Sequence, residues 1–208
     1  MGRVLYRDSV FLNFPFDRNY KPILYALIFA VFDCGFVPRS TLERDDSTAV
    51  RIQTLYELIN ESKYGIHDIS RIGLDSKNRL PRFNMPLELG IFLGSKVYGT
   101  GRHRAKRGLI LDRERFRYQK FCSDIAGQDI RGHQNRVEDV IRCVRNWFRA
   151  SPDTAGKILP GANFIYNRYL AFRRQLPQQC EMVHLDLRDL HFIDYTTLVA
   201  GWLKENPR

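Results

Sequence analysis

Cysteines are few in this chain, and they lie far apart. Four occur among 208 residues, at positions 34, 122, 143 and 180, and none belongs to a CxxC pair. This spacing argues against a structural zinc site, whose ligands come in closely spaced pairs, and against a disulfide framework. The compartment we expect for such a chain is a reducing cytoplasm.

Long apolar runs, low-complexity tracts and repeats are also missing. The most apolar stretch, Ile23 to Phe32, is too short to span a bilayer, and the first residues lack the extended apolar core of a signal peptide. We therefore expect no membrane contact. A content of 44% hydrophobic and 27% charged residues is typical of a globular chain rather than a disordered one. The 208 residues suffice for one sizeable domain, alone or with an appendage.

Positive charge is in excess, and the excess is local. Of a formal net charge of +10, residues 101–150 carry +7, from 13 basic and 6 acidic residues. The segment 102–107 opens this region. It predicts either a surface for an acidic partner, a nucleotide or nucleic acid, or a solvated loop. The lack of aromatic residues within 102–107 favours the solvated loop.

Apolar runs alternate with helical patterns through most of the chain. Short apolar runs bounded by turns predict strands, and apolar residues spaced by three and four predict helices. Strands are predicted at 9–14, 36–39, 64–69, 108–112 and 129–132, and helices at 20–33, 49–62, 84–97 and 136–148. This alternation is typical of parallel strands joined by right-handed crossovers. We expect an α/β domain over residues 1–152, with a mostly parallel five-stranded sheet and helices on both faces.

Residues 153–208 lose this alternation. Helical patterns cover residues 163–174 and 195–204, and Pro177 is expected to interrupt the chain between them. We predict a helical C-terminal extension that packs on the core or supplies a dimer interface. Its candidates for buried contacts are Phe192, Leu198 and Trp202.

The segment from Leu80 to Gly90 holds the most informative carboxylate. Asn84 is placed to cap a helix with its side chain, and Pro86 falls in the first turn, where its missing N–H does no harm. Glu88 follows among apolar residues, so desolvation would raise its pKa while the helix N-terminus would lower it. A group tuned in this way suits nucleophilic or acid–base work. The alternative is an ordinary glutamate that stabilises the helix dipole.

Three acidic residues are predicted to meet at one edge of the sheet. Ligands of parallel sheets bind outside the carboxyl ends of the strands. Asp17 follows the first strand, Asp68 ends the third, and Glu88 lies near the start of the next helix. All three can therefore converge. His67 either pairs with Asp68 or has a structural role in its strand.

No metal site is expected from the sequence. The nearest candidates for metal or ribose ligands are Asp112, Asp124, Asp129 and His133. Their spacing matches no metal motif. We expect them to act in solvated loops or as caps.

Three short segments carry a family resemblance. Segment 10–16 is an apolar strand that runs into Pro-Phe, segment 65–69 is a strand that carries an Asp near its end, and segment 85–90 has a Glu-x-Gly sequence at the start of a helix. In order and spacing they resemble the nucleoside 2-deoxyribosyltransferases and the related Toll/interleukin-1-receptor (TIR)-like domains of bacteria. The resemblance covers about residues 8–150 and implies a flavodoxin-like fold.

The resemblance implies a role for each matched residue. In the deoxyribosyltransferases the Glu of this segment attacks the anomeric carbon and displaces the base, and TIR-domain enzymes use a comparably placed Glu to cut the nicotinamide–ribose bond of NAD. Glu88 would take that role, and Asp68 would assist departure of the base or orient the ribose. The residues implied to line the sugar or base pocket are Asn13, Phe14, Phe16 and Asp17, and Asn84 and Met85 are further candidates for substrate binding.

The chain departs from the family pattern just before Glu88. Deoxyribosyltransferases usually carry Asp-Gly-Thr there, whereas this chain has Arg82-Phe83-Asn84-Met85-Pro86. Arg82 would bring a positive charge towards the site and favour a phosphorylated ligand. The Trp that many TIR NADases place before their Glu is absent.

These features predict an enzyme that cleaves the base–ribose bond of NAD or of a nucleoside phosphate. The nucleotide would be its substrate, and no cofactor is needed. Its setting would be bacterial antiphage defence, and we expect a homo-oligomer. The alternative is a non-catalytic TIR-like module that senses a nucleotide or assembles with partners, with the basic region 101–150 as its interaction surface.

Overall fold

The sheet has five strands, all parallel, in the order β2-β1-β3-β4-β5. The computed structural model describes residues 4–73 and 80–208. The strands are β1 (Ser9–Asn13), β2 (Val37–Arg39), β3 (Tyr64–Asp68), β4 (Arg107–Asp112) and β5 (Arg131–Gly132). The predicted α/β class and parallel sheet are confirmed, and the strand order is that of a flavodoxin-like fold.

Six α-helices accompany the strands within the described residues. They are α1 (Lys21–Asp33), α2 (Arg51–Glu61), α3 (Asn84–Val97), α4 (Val137–Arg149), α5 (Ala162–Met182) and α6 (Phe192–Glu205). Helix α1 is apolar nearly all round and correspondingly buried. It ends before Gly35, whose φ of +88° suits glycine.

The two faces of the sheet have separate cores. Because side chains alternate along a strand, Phe11 of β1 joins α2 and α3 through Leu58 and Phe92. Val10 and Leu12 face the opposite way, into a larger core formed with the remaining helices. Helices therefore cover both faces, as the sequence predicts.

The C-terminal helices form a further layer over α1 and α4. Phe29 of α1 is fully buried, and its ring centroid lies 5.6 Å from that of Tyr169, 5.6 Å from that of Phe172 and 5.9 Å from that of Trp202. Phe192 and Trp202 are buried, and Leu198 is partly buried. Residues 153–208 thus share one hydrophobic core with the sheet.

Pro177 does not end its helix, contrary to the sequence prediction. Helix α5 runs through it from Ala162 to Met182. Leu176 and Cys180 are buried on either side. This packing outweighs the backbone hydrogen bond that proline removes.

Asn84 does not cap α3, which corrects a second prediction. The cap residue is Phe83, and its backbone is already helical at φ −91° and ψ −9°. A side-chain cap needs an extended backbone at the capping position. Asn84 is instead the first residue of the helix.

Candidate active site

Glu88 lines a cavity of about 190 Å³ at the carboxyl edge of the sheet. Strand β1 lies between β2 and β3, so the connection from β1 to β2 and the connection from β2 to β3 run in opposite directions across the sheet. Such a switch in direction opens a crevice where open α/β sheets bind ligands. The described residues that line the cavity come from the starts of α2 and α3 and the loop after β2: Thr41, Arg51, Ile52, Leu55, Asn84, Leu87 and Glu88.

The pKa of Glu88 is strongly raised. Burial raises it from 4.5 to about 7, and the positive charge of Arg51 offsets part of that increase. Near neutral pH this carboxyl group is present in both its charged and its protonated forms. It can therefore serve as a nucleophile or exchange a proton without a large energetic cost.

Arg51 lies between the Glu88 cavity and Phe16. Its guanidinium carbon is 5.0 Å from the centroid of the Phe16 ring, within range of a cation–π contact. Phe16 is 47% exposed, and the buried ring of Phe14 supports it at a centroid distance of 5.1 Å. The sequence analysis singled out both aromatic residues but not Arg51. Arg51 could have been considered because it stands at the start of a predicted helix, at the edge of the sheet where ligands bind.

A second cavity, of about 250 Å³, lies on the other side of Phe16. Six aromatic side chains line it, from the segment between β1 and α1, from α1 and from α6. They are Phe14, Phe16, Tyr20, Tyr25, Phe192 and Tyr195. A flat ring is the kind of group that such aromatic side chains accommodate.

Arg82 and Asp17 connect the loops on the two sides of this edge. Arg82 Nη1 lies 3.8 Å from Asp17 Oδ2. The other oxygen of Asp17 accepts a hydrogen bond from the Tyr20 backbone N–H at 2.9 Å. Asp17 is therefore a capping residue at the start of the α1 region, and it holds Arg82 close to the candidate site.

Asn13 is buried beneath the site rather than exposed on its wall. Its Nδ2 donates to the carbonyl of Met85 at 2.8 Å and lies 3.2 Å from His67 Nδ1. The Met85 side chain is itself buried. Asn13 thus ties the ends of β1 and β3 to the first turn of α3, and Glu88 follows in the second turn.

His67 faces away from Asp68 and has a structural position. Its ring is fully buried, 4.8 Å from the Phe92 ring between centroids. Burial, with a smaller effect of the Lys106 charge, lowers its pKa from 6.5 to about 3, so the ring is neutral. Pairing of His67 with Asp68 is not observed, because neighbouring strand residues point to opposite faces.

Asp68 is fully buried in a hydrogen-bonded cluster of its own. It accepts from the Tyr20 hydroxyl at 2.6 Å and from the Ser70 backbone N–H at 2.8 Å. His133 Nε2 lies 3.1 Å from Asp68 Oδ2. Burial alone would raise the pKa of Asp68, but His133, Ser70 and Tyr20 together hold it below its ordinary value.

The His133 ring has a defined orientation. Its Nδ1 accepts a hydrogen bond from the Asn135 backbone N–H at 3.1 Å, so the hydrogen of the neutral ring is on Nε2, facing Asp68. The approach is off-axis, since Nε2 makes no well-aligned hydrogen bond within the described residues. His133 and Tyr20 were missed as partners of Asp68 because nothing in their sequence spacing connects them.

Asp112 binds an arginine rather than lying in a solvated loop. Its Oδ1 accepts from Arg117 Nη2 at 2.5 Å and from Arg117 Nε at 2.9 Å. Arg117 also donates to the carbonyls of Ile69 and Ser70. The loops after β3 and β4 are thereby joined. Across residues 4–73 and 80–208, no group of three or more His, Cys, Asp or Glu side chains is placed to hold a metal ion.

The basic segment 102–107 is partly used inside the fold. Lys106 is buried, and its Nζ donates to the carbonyls of Ile59 and Ser62. Burial lowers its pKa from 10.5 to about 8. Arg102 lies over the Tyr6 ring at 4.5 Å. This segment therefore anchors the connection between α2 and β3, and only part of its charge is available to a partner.

Comparisons of the chain with protein-family models, with curated proteins and with solved structures found no match. In the part of the chain that the structure describes, no helix is both long enough and apolar enough to cross a membrane. A function is therefore assigned from the geometry of the site.

Proposed function

We propose that this protein is a nucleotide N-glycosidase with Glu88 as its nucleophile. One observation carries the proposal: a partly buried carboxyl group, its pKa raised to about 7, lines a cavity at the switch point of a parallel sheet. Perturbed carboxylates in clefts are enriched at catalytic sites. The resemblance to deoxyribosyltransferases and TIR-like domains agrees with this role for Glu88.

The proposed reaction has two steps. The Glu88 carboxylate attacks the anomeric carbon of the ribose while the bond to the base breaks, and the base leaves with the bonding electrons. The transition state has oxocarbenium character, which a nearby carboxylate stabilises. Water then attacks the same carbon and releases the ribose from the glutamyl ester, which regenerates the carboxylate.

Glu88 is the only acidic residue among the described residues that line its cavity. Asp68 is fully buried and bound to Tyr20, Ser70 and His133. Among the residues that the structure describes, no second carboxyl group is therefore in place to protonate the leaving base. This favours a base that leaves without protonation, such as the positively charged nicotinamide of NAD, over the neutral bases of ordinary nucleosides.

The surroundings of the cavity support a phosphorylated substrate. Its volume of about 190 Å³ is below the roughly 300–1,000 Å³ that is usual for a complete ligand, so it would hold the sugar end. Arg51 on its wall supplies positive charge for phosphate, and Arg82, 3.8 Å from Asp17 on the wall of the second cavity, is the next arginine along this edge. The aromatic cavity beyond Phe16 would take a flat ring.

The decisive experiment measures base release from NAD, NADP, ATP and deoxynucleoside monophosphates by chromatography. We expect release from NAD or NADP, reduced at least 100-fold in Glu88→Gln, in line with loss of a nucleophile. Glu181→Gln makes the same chemical change at an exposed position on α5 and should retain full activity. Unchanged turnover in Glu88→Gln would disprove the assignment.

A non-catalytic nucleotide-binding module is the second candidate. The observation that favours it is again the lack of a second acidic group in the cavity among the described residues. In that case NAD binds but no base is released. Isothermal titration calorimetry measures NAD binding, and the chromatographic assay measures base release. Binding without base release in the wild-type chain would support the non-catalytic module over the glycosidase.

A further inference from the structure

The loop after β4 combines basic and aromatic residues in a way that the candidate active site does not use. Residues 113–121, here called the 113–121 loop, contain four basic residues, one acidic residue and three aromatic residues. The loop follows Asp112 at the carboxyl edge of the sheet. Tyr118 is buried in a cluster with Ile69 and Ile110, so it anchors the loop to the fold.

The other two aromatic side chains of this loop face outwards. Phe116 is 56% exposed and Phe121 is 39% exposed. An arginine lies against each ring: the guanidinium carbon of Arg115 is 5.0 Å from the Phe116 centroid, and that of Arg117 is 4.9 Å from the Phe121 centroid. The loop therefore presents two aromatic rings at the surface, each next to a positive charge.

The backbone around these rings is unusual. Phe116 has a φ of +67°, a conformation that bulky residues rarely adopt. Gln134 and Asn135, with φ of +51° and +56°, lie in the loop after β5, whose Gln134 N–H donates to the Arg113 carbonyl at 2.7 Å. Three of the four non-glycine residues with positive φ in the described chain thus fall in two touching loops. Strained backbone of this kind clusters at functional sites.

Part of the loop's positive charge is not neutralised. Arg113 pairs with Glu114 at 3.1 Å, and Arg117 pairs with the buried Asp112. Arg115 and Lys120 form no ion pair with any residue that the structure describes, and both are exposed. The surrounding region 101–150 carries +7. An anionic partner is therefore the one that complements this surface.

We propose that the 113–121 loop binds single-stranded nucleic acid. Bases stack on Phe116 and Phe121, and the phosphates between them approach Arg115 and Lys120. Exposed rings beside basic side chains are the combination that such sites use, since every base has a face that can stack. A duplex keeps its bases stacked on each other and cannot supply them. An acidic protein would satisfy the charges but would leave the two rings without a specific role.

The test measures binding of fluorescein-labelled oligothymidylate and oligouridylate to the full chain. Fluorescence anisotropy reports the binding at about 50 mM and about 200 mM salt. We expect measurable binding that weakens steeply as salt rises, because released counterions accompany phosphate contacts. A duplex of equal length should bind more weakly.

The matched variants separate stacking from charge. Phe116→Ala and Phe121→Ala should each weaken binding by roughly ten-fold, with the salt dependence unchanged. Arg115→Gln with Lys120→Gln should reduce the salt dependence. Phe164→Ala is the control, because Phe164 is 49% exposed on α5 with Arg168 5.8 Å from its ring centroid, and its loss should change nothing.

Several outcomes would overturn the proposal. No binding of either oligonucleotide at about 50 mM salt is one. If the duplex binds as tightly as the single strands, or if Phe164→Ala weakens binding as much as Phe116→Ala, the binding is non-specific electrostatic attraction and the stacking site is disproved. Phe116→Gly retains the positive φ if Phe116→Ala does not fold. The inference does not depend on Glu88, so Glu88→Gln should bind the oligonucleotides as the wild type does.

Discussion

The pKa values of individual side chains in this protein depend more on burial than on the neighbouring residues in the sequence. Glu88 and His67 show the two directions of the effect. Burial penalises the charged form in both cases, so the pKa of the acid rises to about 7 and that of the base falls to about 3. Each shift makes activity or stability depend on pH in a direction that can be measured.

The pH dependence of base release should follow the ionisation of Glu88. Only the carboxylate form is a nucleophile, so kcat/KM should rise with pH and level off above about 7. Initial rates across the neutral range give this profile. A profile that falls through the same range would identify Glu88 as an acid rather than a nucleophile.

Replacing Glu88 should stabilise the protein in a pH-dependent manner. The folded-state pKa of about 7 exceeds the unfolded value of 4.5, so the folded state binds more protons between these limits. The stability of the wild type therefore falls as pH rises through them, while a glutamine does not titrate. Urea denaturation should show Glu88→Gln more stable than wild type at about pH 8 and nearly equal at about pH 4. A difference that does not vary with pH would contradict this.

His67 should make the protein sensitive to acid. Its pKa falls from 6.5 in the unfolded chain to about 3 in the fold, so below 6.5 only the unfolded state takes up the proton. The stability present above pH 6.5 is then lost as pH falls towards 3. In His67→Gln the decline of unfolding free energy over this range should be shallower. Parallel curves for the two proteins would show that other groups cause the decline.

Helix α5 shows how packing of an element can override a local signal. Apolar residues continue at helical spacing across Pro177, at Phe172, Leu176 and Cys180, and all three are buried. This apolar spacing predicts a continuous helix, whereas the expectation that proline ends a helix does not take it into account. Ending the helix at the proline would remove Cys180 from the core cluster that it shares with Phe172 and Leu176.

Pro177→Ala should therefore stabilise the protein. Pro177 is exposed, so the change removes no buried contact, and it restores a backbone N–H within the helix. We expect the free energy of unfolding to rise by about 1–3 kcal/mol. The greater conformational entropy of the unfolded alanine variant reduces this gain. Chemical denaturation measures it. Equal or lower stability would mean that the helix is already adapted to the proline.

At the scale of the whole molecule, the C-terminal helices complete the core. The rings of Tyr169, Phe172 and Trp202 enclose Phe29. Burial of each such side chain contributes roughly 1.5–3 kcal/mol, against a total stability of about 5–15 kcal/mol for a typical domain. The loss of several of them exceeds what the remaining sheet can compensate.

A chain that ends at residue 152 should consequently fail to fold cooperatively. It lacks α5 and α6 and exposes the outer faces of α1 and α4. Thermal unfolding followed by near-ultraviolet circular dichroism should show a transition in the full chain and none in the fragment. A cooperative transition in the fragment would establish residues 1–152 as an independent domain.

The sequence by itself determined the elements and their order. Apolar spacing is a local property, so β1, β3, β4 and helices α1 to α4 could be predicted close to their observed bounds. The alternation of strand and helix then left parallel crossovers as the connection. Glu88 could be singled out for the same reason, since a carboxylate among apolar residues is visible in the chain.

Only the tertiary structure decided which side chains meet. Asp68 and Glu88 lie at the same edge of the sheet, yet Asp68 points into the core, where Tyr20 and His133 bind it. Arg51 instead lies beside Glu88. Strand faces, burial and the pairing of segments far apart in sequence fix these contacts. They arise only when the whole core packs, so no local pattern carries them.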